Sequence, residues 1–127
     1  MRALIISIVS LGILVVIWGA FDYYSDHKLD GYVDEIKNTI LPSIERNDWE
    51  TAESVFNRLS DDWHEYKKIS TFFFDRRILN ETDYSVARTK YYIKAKDLSN
   101  STGELACLKE QFSFFHSNES FHLANIL

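Results

Sequence analysis

Ala3–Phe21, ALIISIVSLGILVVIWGAF, runs for nineteen residues without a charge, and its reading decides how the rest of the chain is placed. At about 1.5 Å of rise per residue such a helix covers roughly 28 Å, close to the hydrocarbon thickness of a bilayer. No proline interrupts it, and Ser7, Ser10, Gly12 and Gly19 are tolerable in a span because the backbone bonds stay internal. Trp18, Phe21, Tyr23 and Tyr24 cluster at its C-terminal edge, where amphipathic rings favour the headgroup layer. Two other readings compete. A cleaved signal peptide needs small residues just before the cut, yet the best site, after Ala20, has Trp18 at the third position back. A buried helix of a soluble protein is the third, and the charge-free length disfavours it. The preferred reading is an uncleaved anchor. Arg2 and the α-amino group precede the span, Asp22 and Asp26 follow it, and the first downstream lysine is Lys28. The positive-inside rule then predicts a single-pass protein of the cell membrane, N-terminus cytoplasmic and C-terminal domain outside.

Beyond the span, residues 22–127 carry 13 Lys+Arg against 19 Asp+Glu, a balance that argues against nonspecific binding to nucleic acid. Cys107 is the only cysteine, so no intramolecular disulfide can staple the domain. Within the apolar run Leu105–Leu108 it is expected to pack as a small hydrophobe. One proline and four glycines leave little material for β-turns, and the reading is all-α: an N-terminal transmembrane helix followed by a bundle of about four helices.

Those helices are expected at about 22–41, 48–74, 76–98 and 102–116. In the first, Leu29, Val33, Ile36 and Ile40 form one face, and Pro42 is expected to end or kink it. No breaker separates this segment from the span, so the two are expected to form one rod. In the second, Asn47 and Glu50 fit a capping box, and Trp49, Ala52, Phe56, Leu59, Trp63, Tyr66 and Phe73 follow a three–four alternation. Asp75 caps the third, whose apolar residues lie on two lines: Leu79, Val86 and Ile93, and Tyr84, Ala87, Tyr91 and Leu98. Ser99–Gly103 reads as a loop with Ser101 and Glu104 as a second capping box, followed by the seam Leu105, Leu108, Phe112 and Phe115. Phe121, Leu123, Ile126 and Leu127 could tuck a short tail against the bundle.

Two surface candidates emerge. The first helix would climb roughly 30 Å from the membrane and the second descend roughly 39 Å, returning Phe72, Phe73 and Phe74 to the bilayer surface beside Arg76 and Arg77. The alternative is that the three phenylalanines cap the core. Charge is segregated as well: residues 22–66 hold four basic and twelve acidic groups, residues 67–97 eight and four. Arg88, Lys90, Lys94 and Lys96 could face an anionic partner, although packing of the acidic segment beside the basic helix is the simpler account.

The anchor, Asp48-Trp49-x-x-Ala52, Trp63 fourteen residues after the first of these tryptophans, and the ending Leu123-Ala-Asn125-Ile126-Leu127 together resemble the small membrane-anchored proteins grouped as domain of unknown function 4363. That family is common in spore-forming Gram-positive bacteria. The sequence has Asp75-Arg76 where the family pattern has an Asp-His pair. The resemblance implies a helical extracytoplasmic domain and supplies no activity.

Chemistry is sparse. His27 with Asp30 and Asp34, and Asp61 with His64, have helical spacing, but a bundle metal site uses matched sets on facing helices and no Glu-x-x-His repeat is present. His116 and His122 suit a helix end. No nucleophile motif, phosphate loop or zinc signature stands out. Seven tyrosines and three tryptophans can fill a small core or mark a recognition surface. The expectation is therefore a non-catalytic interaction or adaptor module at the outer membrane face, using no cofactor, with a protein partner unnamed. A small-ligand or metal-binding sensor using the bundle interior is the alternative.

Overall fold

A long apolar stripe needs a partner, and the chain supplies three. The computed structural model describes the backbone of residues 1–126 and the side chains of residues 1–115. It contains α1 (Arg2–Glu35), a π-helical turn (Ile36–Ile40), α2 (Leu41–Glu45), α3 (Trp49–Ser70), α4 (Arg76–Lys94) and α5 (Leu98–Ile126). α1, the π turn and α2 form one continuous rod, which packs against α3 and α5; α4 closes the square between those two. The all-α class holds, and no strand occurs among the described residues.

The rod carries its apolar run and its core face end to end. Leu4 to Ile17 are exposed, whereas Phe21, Leu29, Tyr32, Ile36, Ile40 and Ile44 are buried. By length and composition the N-terminal part of this helix could cross a membrane. Ending the rod, one of the two outcomes expected of Pro42, does not occur. A proline inside a regular helix lacks its N–H and strikes the carbonyl four residues back. Here the preceding turn is widened, with Leu41 N–H donating to Ile36 O, and Ser43 Oγ donating to Thr39 O at 2.6 Å. The same turn keeps the stripe straight. Each four-residue step overshoots a full turn by about 40°, so Tyr32, Ile36, Ile40 and Ile44 would otherwise swing about 120° around the helix.

The two corners at one end share a construction. Asn47 (φ 61°) and Lys96 (φ 56°) sit in the left-handed region. Asp48 N–H then reaches Ser43 O at 2.8 Å, and Asp97 N–H reaches Tyr92 O at 2.9 Å, the closing bonds of Schellman caps. The next residue starts the following helix. Asp48 accepts from Thr51 N–H, and Asp97 from Asn100 N–H at 3.1 Å. Asp48 rather than Asn47 is therefore the cap of α3. Likewise Asp97, not Ser101, caps α5: Ser99–Gly103 is helical, and Ser101 is buried.

At the opposite end α3 stops at Ser70, four residues before the expected limit, because three consecutive phenylalanines cannot share one helical face. The turn lets Phe73 and Phe74 pack inward while Phe72 points out. Asp75, in extended conformation, restarts the helix by accepting from Arg77 N–H, as expected.

The core is aromatic at its centre. α3 and α5 stand diagonally opposite and meet through large side chains, with Trp63 5.5 Å from Phe112 and 6.0 Å from Phe115. On α4 the buried face is Leu79, Thr82, Ser85, Val86, Thr89 and Ile93. The second apolar line is turned outward instead: Tyr84, Ala87, Tyr91 and Leu98 are exposed. Thr82 and Thr89 replace it because their hydroxyls bond carbonyls of their own helix, Ile78 O and Ser85 O, and so enter the core satisfied. Backbone α5 continues to Ile126, past the expected limit near residue 116; the expected packing of Phe121, Leu123, Ile126 and Leu127 lies outside the described side chains, as do His116 and His122.

Candidate functional site

The base of the bundle is where the apolar run of α1 meets the α3–α4 turn. Phe21, the last residue of that run, stacks on Phe73 with ring centroids 3.8 Å apart. Trp18 meets Phe73 edge-on at 5.2 Å, and Phe74 meets Phe115 at 5.1 Å. The turn therefore stands level with the final turn of the uncharged segment. The three phenylalanines divide their roles. Phe73 and Phe74 close the core, whereas Phe72 is 84% exposed, next to Ile69 at 44%. Arg76 and Arg77 are exposed on the first turn of α4, and neither belongs to an ion pair among the described residues.

The basic face expected on α4 is not a single surface. Arg88 bonds Glu104 at 3.1 Å, a partner on α5. Lys94 and Lys96 line a cleft of about 380 Å³ at the far end with Asp48, Glu50 and Glu53. Lys90 is exposed apart from these. Basic α4 thus faces acidic neighbours on both flanking helices.

Sequence reading missed a polar seam between α1 and α3. Lys28 Nζ bonds both oxygens of Asp62, at 3.0 and 3.1 Å, and Tyr32 hydroxyl donates to Asp62 Oδ2 at 2.7 Å. Ser25 and Tyr66 pair their hydroxyls deeper in the same interface at 2.5 Å. Burial, and then the bond to Asp62, push the Tyr32 phenol far above its usual ionisation; the Asp62 carboxylate raises Lys28. His27, Gly31, Glu35, Arg58 and Leu59 complete an open cleft of about 360 Å³ over this seam. Both acids and bases line it, so it selects no single charge. The available signal was that Lys28 and Asp62 flank the predicted apolar stripes of two helices expected to be neighbours.

A second seam joins α3 to α4. The buried Trp63 indole donates to Asp83 Oδ1 at 2.7 Å, and Lys67 bonds both Asp83 and Asn80. The buried indole N–H thereby finds a partner.

The remaining candidates do not converge. Among the described residues no group of three or more His, Cys, Asp or Glu could hold a metal ion. His64 Nδ1 lies 2.7 Å from Ser60 O, and His27 stacks on Tyr23. Cys107 is exposed, not packed as expected, because Leu105 and Leu108 take the inward positions of that turn.

No curated protein and no solved structure matches the chain. Residues 23–126 match the family described as Domain of unknown function (DUF4363), and the chain belongs to it.

Proposed function

We propose that this member of the DUF4363 family is a membrane-tethered, non-catalytic interaction module, its bundle standing at the outer face of the cytoplasmic membrane. One observation carries the reading: an exposed apolar run, Leu4 to Ile17, and the buried core residues from Phe21 to Ile44 follow one another in a single unbroken helical rod. A rigid rod fixes the height and tilt of whatever the bundle holds. Binding would use α4, where Tyr84 and Tyr91 are 64% and 73% exposed two turns apart on one face. Tyrosine gives large contact area at low entropy cost and is enriched in binding hot spots.

Placement and partner are tested separately. In intact cells a membrane-impermeant maleimide is expected to label Cys107, which is exposed and the only cysteine. Labelling only after lysis would reverse the orientation. A photo-crosslinker at Tyr91 is expected to trap one defined protein, and Tyr84→Ala to reduce that product. If crosslinking recovers nothing while metal ions or metabolites raise the melting temperature, the domain is a ligand sensor and the adaptor reading fails.

A further inference from the structure

We infer that the α3–α4 turn is a second membrane contact, in which Phe72 enters the headgroup region and Arg76 and Arg77 bind lipid phosphates. This rests on the reading of Ala3–Phe21 as a bilayer span. The height of the turn is set by contacts within the bundle: Phe73 is clamped between Trp18 and Phe21, the residues that end the uncharged run. A span that places Phe21 at the bilayer edge therefore places residues 71–77 there as well. At that height the turn presents what an interface takes. Phe72 and Ile69 are exposed apolar side chains, and Arg76 and Arg77 are exposed four and five residues on from Phe72, at the start of α4, while Lys68 pairs with Glu65 at 3.0 Å. Burying the Phe72 ring among headgroups recovers apolar surface that water otherwise covers. The two guanidinium groups meet phosphate through paired N–H donors. Asp75 lies within the patch, but its carboxylate is turned onto the backbone N–H of Arg77 as a helix cap.

A soluble bundle on a flexible stalk would gain nothing from a large ring held in water at its lowest point. Two attachment points, the rod and the turn, resist tilting in a way that one cannot. Lipid is the occupant the geometry selects, since Phe73, the neighbour of Phe72, packs on Trp18 and Phe21 where the exposed apolar run of the rod ends.

The test uses the full chain carrying Cys107→Ser, reconstituted in vesicles of phosphatidylcholine and phosphatidylglycerol. Spin labels are placed singly at Thr71→Cys, at Ile13→Cys and at Glu50→Cys, all exposed positions. Collision with oxygen and with a water-soluble nickel chelate reports depth. The label at 71 is expected to show several-fold less nickel collision than the label at 50, and Phe72→Ser is expected to restore much of it. Arg76→Gln with Arg77→Gln should do the same in part, and only in vesicles containing the anionic lipid. Equal nickel collision at 71 and 50, with the label at 13 deep in the bilayer, would overturn the contact and leave the anchor standing. Water-like values at 13 would overturn the anchor and the contact together. Dipolar broadening at 71 that vanishes on dilution with unlabelled protein would put a second copy on the patch, and would also overturn the proposal.

Discussion

Lys96 adopts φ 56°, a conformation that costs a residue with a Cβ atom roughly 1–2 kcal/mol. Its chain direction is needed because Asp97 N–H must turn back to Tyr92 O while Asp97 begins the next helix. Glycine takes this conformation without strain, so Lys96→Gly is expected to stabilise the fold by about 1 kcal/mol, read as a higher urea midpoint. Asp97 carries a second test. Its bonds from Asn100 hold the carboxyl below its ordinary range. A carboxylate favoured by the fold contributes above about pH 4 and loses that contribution as pH falls through its folded-state value. Asp97→Asn preserves a capping oxygen but cannot titrate. It is expected to match the parent near pH 7 and to flatten the loss of stability in acid. Trp63 is the third case. Asp83→Ala strands a buried indole N–H and should cost about 1–3 kcal/mol, whereas Asp83→Asn, which keeps an acceptor, should cost less. Caps of this sort are local in sequence. Asp75 was readable for that reason, and Asp48 and Asp97 were missed by a residue or more because neighbouring Asn47 and Ser101 are equally good candidates by type.

At the scale of the element, the π turn does the work that the sequence alone assigned to a helix end. Deleting Asn38, an exposed residue inside it, would return the rod to regular geometry and, by removing about 100° of the 120° swing, leave Ile40 and Ile44 on the core face. The deletion is therefore expected to keep cooperative unfolding, and Asn38→Ala to leave the midpoint nearly unchanged. Loss of cooperative unfolding in the deletion variant would show that the turn does not absorb one extra residue. The spacing of four, four and four is plain in the sequence, but it does not decide whether the chain resolves it by stopping, kinking or widening. A proline is compatible with all three.

For the whole molecule, the apolar run and the bundle are mechanically one and energetically separate. Among the described residues Leu4 to Ile17 contribute nothing to the core, whose described cluster runs from Leu29 to Phe115. A chain starting at Trp18, which keeps the contact with Phe73, is expected to be helical, soluble without detergent and cooperative in thermal unfolding. Aggregation or a broad melt would mean that the apolar run is needed for folding as well as for placement. The intact chain is expected to need detergent under the same conditions.

Determined by sequence were the helical class, the uncharged run, the α3 seam from Ala52 through Tyr66, and membership of a family without an assigned activity. These depend on composition and on spacing along one helix, where neighbours three and four residues apart are fixed by backbone geometry. The outward face of α4, the exposure of Cys107, the seam of Lys28, Tyr32 and Asp62, and the division of Phe72 from Phe73 and Phe74 came from the tertiary structure. Each depends on which other helix arrives at a given side. Tyr84 and Tyr91 are as apolar in body as a core residue, and only the absence of a neighbour on that side of α4 among the described residues leaves them in water. Only folding sets Phe73 against Phe21, and with it the height of the α3–α4 turn relative to the end of the run that opens the chain.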